Sequence, residues 1–315
     1  MLLPTFRTRA AYDQHQPDPA LWLPAMQAIC QRHNLPSSLL SRLSEGTNVV
    51  FAVGDAFIIK LYPPFWQRAF RADRDVAQYL HGKLAVRTPT ILTSGELEGY
   101  AYTVMERLPG HYLAEIWDGL SAAEQTAFAV DLGELLAQLH ALPTDPLTHL
   151  HVDWPTFVAR RRSDCVARHR GQGLDEHWLA QLPGYLASAM PLYPPAFQPA
   201  LVSADMHPQH LVVDRAGDAW RLCGWFDFDD ALVGFAEYDL AASALFLFWG
   251  RPVALRTFLL AYGYRKADLD SALRRRLLAY TLLHPYRALR WVLHVILGDP
   301  RCTTLDELAD LIYSC

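Results

Sequence analysis

The sequence predicts an α+β fold with a strand-rich first part and a mainly helical remainder. Three observations predict it. Apolar, β-branched runs broken by tight-turn residues dominate the segment 47–105. Helix-period apolar spacing takes over from residue 122. One further hairpin pattern interrupts the helical part at 211–226.

Thr47 to Val53 is apolar and β-branched; Gly54-Asp55 follows, then Ala56 to Tyr62. That order predicts a hairpin. Lys60 stands inside its second strand, where a lysine needs an anion or an outward position. Ser44-Glu45-Gly46-Thr47-Asn48 precedes the hairpin, and its backbone N–H groups and small polar side chains are suited to covering phosphates. Phe65 to Leu80 has helical spacing and carries Asp73 and Asp75. Thr90 to Leu92 and Tyr100 to Met105 read as two more strands, turned at Glu98-Gly99, before Glu106-Arg107-Leu108-Pro109-Gly110 breaks the pattern.

Ala122 to Leu142 spaces Phe128, Leu132, Leu135, Leu136 and Leu139 as one face of a long helix. His140 near its end is expected to pack rather than to react. After Asp239 the spacing predicts helices near 240–249, 252–262, 269–279, 281–297 and 303–313, with Pro285 ending or kinking one of them.

The stretch Leu201 to Asp239 holds the densest chemistry. Leu211-Val212-Val213 and Ala219 to Phe226 flank the turn-like Arg215-Ala216-Gly217-Asp218. Asp205 stands just before this hairpin and Asp227 just after it. A hairpin returns the chain to its start, so the two acids are expected at one end of it. Two nearby carboxylates, with His207 and His210 between, suit a divalent cation or proton transfer to a bound substrate.

Ser203-Ala204-Asp205-Met206-His207-Pro208-Gln209-His210, then Phe226-Asp227-Phe228, then Gly234-Phe235-Ala236-Glu237-Tyr238-Asp239-Leu240-Ala241 resemble, in order, spacing and residue type, the motifs of the aminoglycoside phosphotransferase (antibiotic kinase-like) family. The resemblance implies the bilobal protein-kinase-like fold. An N-terminal nucleotide lobe would span residues 1–107, and a helical lobe with the catalytic loop and acceptor site residues 108–315. It implies an ATP (or GTP) and Mg²⁺-dependent kinase that moves the γ-phosphoryl group to a hydroxyl of a small molecule, an antibiotic among the candidates. A Ser/Thr protein kinase and a silent nucleotide- or partner-binding pseudokinase on the same scaffold are the alternatives.

The resemblance also assigns roles. Asp205 would accept or orient the acceptor hydroxyl's proton. Lys60 would hold the α- and β-phosphates and pair with an acid of the next helix, Asp73 in preference to Asp75. Aspartate is one methylene shorter than the family's usual glutamate, which leaves room for a looser or water-bridged pair. Gly46, Thr47 and Asn48 would lie in the nucleotide loop. Met105, Glu106, Arg107 and Leu108 would meet adenine through their backbone. Asp227 would bind Mg²⁺, with Asp230 placed to help. Asp239 would tie a helix start to the catalytic loop.

The sequence departs from the family pattern at two places. Ser203-Ala204 replaces His-Gly. His210 replaces a metal-binding Asn and offers a nitrogen, which magnesium favours less. Macrolide 2′-phosphotransferases look similar there, with His closing the same loop, so His210 is a candidate metal ligand or phosphate contact.

Composition excludes several classes. The net charge of −5 and pI near 6.2 argue against a nucleic-acid binder. Scattered Cys30, Cys165, Cys223, Cys302 and Cys315 fit a reducing, cytoplasmic setting and give no zinc spacing. No signal peptide or membrane span is expected, and a monomer or homodimer is. Residues 251–301 hold ten Lys or Arg against three Asp, a slight tilt away from polycationic acceptors unless these arginines only coat helix surfaces. Trp117, Trp154, Trp178, Trp249 and Trp291 are candidates for an apolar or sugar pocket, with core packing the commoner role for such side chains.

Overall fold

The computed structural model describes residues 1–43 and 46–315. Its chain divides into two compact units. One comprises Met1–His111, Val212–Asp214 and Cys223–Ala231; the other comprises Tyr112–Leu211, Arg215–Leu222 and Leu232–Cys315. Among the described residues, no helix is long and apolar enough to cross a membrane.

The first unit is built on a five-stranded antiparallel sheet in the order β1-β2-β3-β5-β4. The strands are β1 Leu40–Leu43, β2 Val49–Val53, β3 Phe57–Tyr62, β4 Ile91–Leu97 and β5 Tyr100–Glu106. Gly54, at φ 60°, turns β2 into β3. Glu98 and Gly99, both at positive φ, turn β4 into β5. β3 is central, so Lys60 sits opposite Val50 on one side and Thr103 on the other.

Two helices that sequence reasoning leaves out, α1 Arg9–His15 and α2 Pro19–Arg32, cover one face of this sheet. Their Tyr12, Trp22, Met26 and Ile29 share a core with Phe51, Ile59, Leu61 and Val104. Alternation along β3 sends Ile59 and Leu61 into that core and leaves Lys60 and Tyr62 for the opposite face. There Tyr62 packs with Phe70 of α3, Gln67–Leu80. The buried residues of α3 are Phe70, Ala72, Asp73, Val76, Ala77 and Leu80. Asp73 therefore falls on the same helical face as apolar side chains.

The second unit is mainly helical. Ala122–Ala141 starts at a capping box formed by Ser121 and Glu124. It packs against Pro252–Tyr262 so closely that a Cβ on Gly133 would collide with the Phe258 carbonyl oxygen. A short antiparallel pair, Ala200–Val202 with Leu232–Gly234, leads the chain into residues 203–210.

The C-terminal helices differ in detail from the sequence reading. The helix expected at 269–279 runs Ser271–Leu283 and takes in residues assigned to the next one. Pro285 then breaks the chain, and helix resumes only at Leu289. The tracts Ala244–Phe248 and Val292–Ile296 are π-helical turns.

Candidate active site

The first unit gathers one lysine and three carboxylates. Lys60 Nζ donates to Asp73 Oδ2 at 2.8 Å, to Asp227 Oδ1 at 2.7 Å and to Asp229 Oδ2 at 3.2 Å. The Lys60–Asp73 pair is thus direct, which corrects the looser or water-bridged pair that the shorter side chain suggested. The α3 backbone comes near enough for aspartate to reach. Asp75 pairs instead with Arg74, its chain neighbour.

Asp73 is fully engaged. Its Oδ2 also accepts the Tyr62 hydroxyl, and its Oδ1 accepts the Phe228 N–H at 2.9 Å. Asp227 sits at φ 71° and Ala204, in the other unit, at φ 63°, conformations that non-glycine residues rarely take. Backbone of this kind concentrates at functional sites.

Burial favours loss of the Lys60 charge, but Asp227, Asp229 and Asp73 together hold its pKa well above the ordinary lysine value. Asp229 moves the other way to an ordinary carboxylate. Burial, then the like charge of Asp227, push its pKa well up, against the pull of Lys60. Three acids around one ammonium carry an excess of negative charge. Oxygen donors with such an excess suit a hard dication, so the residues present fit Mg²⁺.

Asp229 is the residue that sequence reasoning missed, in favour of Asp230. Asp227 is left-handed and Asp229-Asp230 form a turn, and this bent backbone, which no strand or helix period announces, brings Asp227 and Asp229 together on Lys60. Phe228, between the two acids, is buried against Trp225.

Ser44 and Glu45, the expected opening of the nucleotide loop, lie outside the described residues. Gly46 is at φ 93°, with open space where a Cβ would stand. The loop carbonyls are held from α1 and its C-terminal end. Tyr12 Oη donates to the Thr47 carbonyl at 3.1 Å, and Gln16 Nε2 to those of Gly46 and Asn48 at 3.3 and 2.8 Å. Asn48 is buried, and its Nδ2 donates to Asp229 at 2.7 Å.

The four residues expected to meet adenine occupy the end of β5 and the loop after it. The Glu106 N–H already bonds the Thr90 carbonyl and the Arg107 N–H the Ala56 carbonyl, both at 2.9 Å. Side chains here are paired as well: Glu106 with Arg87 and Thr90, Arg107 with Gly54 and Asp55. The N–H donors at 106 and 107 are therefore already engaged within the first unit.

In the second unit, Asp205 follows a tightly held dipeptide. Asp239 Oδ2 accepts the Ser203 N–H, and its Oδ1 accepts the Ser203 hydroxyl and the Ala204 N–H, each at 2.8 Å. His140 Nε2 lies 3.1 Å from Asp239 Oδ2, and its Nδ1 lies 2.9 Å from the Tyr262 hydroxyl. The Ala204 carbonyl accepts from Arg287 Nη2 at 2.9 Å. Arg287 is buried, and its Nε and Nη1 have no partner among the described residues. Asp205 Oδ2 lies 3.6 Å from His207 Nε2 and 3.7 Å from His210 Nδ1.

Five of the ten cations of the basic tract 251–301 are paired with acids. Arg251, Arg265, Arg274, Arg275 and Arg276 pair with Asp118, Asp268, Asp310, Asp306 and Glu237. Trp117 and Trp154 are core residues. Trp291 is exposed and stands 6.0 Å from Phe246, whose ring is 5.5 Å from His207.

A search of curated proteins finds no match. Among solved structures, similarity extends over nearly the whole chain at low identity. The GDP complex of wild-type aminoglycoside 2'-phosphotransferase-IIIa is 19% identical over 88% of this chain and 91% of that one, with a TM-score of 0.70. The streptomycin-ATP-APH(2")-IIa ternary complex is 18% identical over 91% and 96%, with a TM-score of 0.63. Aminoglycoside phosphotransferase APH(4)-Ia is 18% identical over 92% and 97%, with a TM-score of 0.61. The fold is therefore the kinase-like α+β fold of these enzymes. The family model described as "Phosphotransferase enzyme family" matches residues 40–280, a span that includes Lys60, Asp205, Asp227 and Asp239. This chain belongs to the phosphotransferase enzyme family and is a kinase by that membership.

Proposed function

We propose that this protein transfers the γ-phosphoryl group of ATP or GTP to a hydroxyl of a small molecule, with aminoglycoside- and macrolide-type antibiotics as the leading acceptors. The observation that carries the reading is the meeting of Lys60 with Asp73, Asp227 and Asp229. Lys60 would fix the nucleotide phosphates, and Asp73 would hold the ammonium in place. Gly46, Thr47 and Asn48 would cover the phosphates, while the backbone of Met105, Glu106, Arg107 and Leu108 would meet the base. Asp227 and Asp229 would hold Mg²⁺, which supplies charge neutralisation at the phosphates.

Asp205 is the acceptor-side base. Its carboxylate takes the hydroxyl proton as the acceptor oxygen bonds to the γ-phosphorus and the bond to the nucleoside diphosphate breaks. Phosphoryl transfer relies mainly on positioning and charge, so a single oriented carboxylate is sufficient chemistry. The Phe246–Trp291 pair beside His207 favours an acceptor with an apolar or sugar face to lay on aromatic rings. Similar structures hold GDP, ADP or ATP, and some hold kanamycin, streptomycin or hygromycin B.

Thermal-shift measurements with ATP–Mg²⁺ and GTP–Mg²⁺, followed by γ-phosphate transfer to aminoglycosides, macrolides and generic proteins, test the proposal. Transfer to one antibiotic class supports it. Nucleotide binding without transfer to any hydroxyl compound refutes it.

A further inference from the structure

The segment Asp205–His210 brings together a donor set unlike magnesium's. His207 caps a short turn, Pro208–His210, in which the His210 N–H bonds the His207 carbonyl at 3.0 Å. Side chains three residues apart eclipse in such a turn. The two imidazoles accordingly face each other, with ring centroids 3.9 Å apart and planes tilted by 38°. Asp205 closes the group. One donor atom from each of the three side chains lies within 4.8 Å of the others. Their side chains are 30%, 18% and 14% exposed, so an ion can reach them from solvent.

The hydrogen bonds settle which nitrogens can ligate. A carbonyl oxygen only accepts, so the 3.0 Å contact between His210 Nδ1 and the Asp205 carbonyl places the proton on Nδ1 and leaves Nε2 with the lone pair. A ring anchored by its other N–H to a backbone carbonyl is the usual support for a metal-bound histidine. His207 Nδ1 accepts the Gln209 N–H at 3.3 Å. Ligation through its Nε2 moves the proton to Nδ1 and gives up that long bond.

We propose that Asp205, His207 and His210 form a site for a zinc-class dication, with water in the fourth position. Two imidazoles and a carboxylate are a borderline donor set that prefers Zn²⁺, Co²⁺ or Ni²⁺ to Mg²⁺. The proposal rests on the functional reading only for its consequence. A metal here withdraws the Asp205 carboxylate from an acceptor hydroxyl and so stops transfer.

The test is a Co²⁺ titration of the full chain without nucleotide or Mg²⁺, followed by its visible absorption bands and by competition with Zn²⁺. Wild type should show one saturable Co²⁺ site that Zn²⁺ empties. His207→Ala and His210→Asn should each weaken it by about 10–100-fold, while remote His177→Ala leaves it unchanged. Asparagine at 210 is the residue usual in the family motif, and circular dichroism confirms that each variant is folded. Absence of a saturable site in wild type, or wild-type affinity in both loop variants, overturns the proposal. Metal binding is read without turnover, so it stands even if the phosphoryl-transfer proposal fails, and it can fail while transfer is observed.

Discussion

Asp239 holds Ala204 in a left-handed conformation: Oδ1 accepts the Ala204 N–H at 2.8 Å, and Ala204 sits at φ 63°. The same carboxylate accepts both the N–H and the hydroxyl of Ser203. With Arg287 bonded to the Ala204 carbonyl, both polar groups of that peptide unit's neighbourhood are fixed. The residue that follows is Asp205. A helix residue 34 positions further on thus sets the direction in which the candidate base leaves the loop.

Asp239→Asn is expected to destabilise the fold by about 3 kcal/mol, because an amide NH₂ would face backbone N–H donors in a buried place. Urea denaturation of wild type and variant checks this. A change below about 1 kcal/mol would mean that the loop keeps its shape without the carboxylate.

Asp229 predicts an unusual pH response. Its folded pKa lies well above the unfolded value because of burial and Asp227. A raised acid pKa means that the folded state binds the extra proton. The favourable contribution is full below the unfolded pKa, near 4, and is lost as pH rises through the folded one. Asp229→Asn, which keeps an acceptor for Asn48 and Lys60, should therefore stabilise the nucleotide-free protein by about 1–2 kcal/mol at pH 8. The gain should shrink toward pH 4. Melting temperatures across that range decide it, and a variant less stable than wild type at pH 8 would refute it.

His169 predicts the opposite slope. It is fully buried, its Nε2 lies 3.0 Å from the Leu282 carbonyl, and its Nδ1 accepts the Leu289 N–H at 3.3 Å. Burial, then Arg168, lower its pKa to about 4. The unfolded chain binds a proton near pH 6.5 and the folded one only near 4. Stability is present above the higher value and falls by about 3 kcal/mol as pH drops between them. His169→Gln should flatten that part of the stability curve, as measured by chemical denaturation at pH 7, 6, 5 and 4.5. An unchanged slope would show that another group governs acid sensitivity.

Much of this was legible in the chain because local chemistry decided it. Gly54 and Glu98-Gly99 between apolar runs announced both hairpins, and the spacing of Phe128, Leu132, Leu135, Leu136 and Leu139 announced the long helix. Helices α1 and α2 escaped because Pro24 interrupts the second and Asp18-Pro19 reads equally as a turn. Strand β1, Leu40–Leu43, lacks any β-branched residue and is held by its neighbour rather than by propensity. At the site, Lys60 stood out as a charge in an apolar strand, while Asp73 was singled out only by the family resemblance. The anchoring of the Gly46–Asn48 carbonyls by Tyr12 and Gln16 joins segments about 30 residues apart. No local pattern encodes a side chain bonding a distant backbone carbonyl.

The final prediction separates nucleotide binding from chemistry. Lys60 contacts three acids in the first unit, whereas Asp205 belongs to a loop of the second. If Asp205 acts only on the acceptor, Asp205→Asn should lower kcat by about 100-fold or more, since general-base contributions reach that size. Its thermal shift with ATP–Mg²⁺ should match that of wild type. Lys60→Ala should show the reverse emphasis. It removes the ammonium from the phosphates and leaves three clustered carboxylates, Asp73 buried and Asp227 and Asp229 half-buried, without their cation, so nucleotide binding and stability both fall. Stopped turnover with intact binding in one variant, and lost binding in the other, is the pattern expected. Equal loss of nucleotide affinity in both would place Asp205 on the phosphates and remove it from the acceptor.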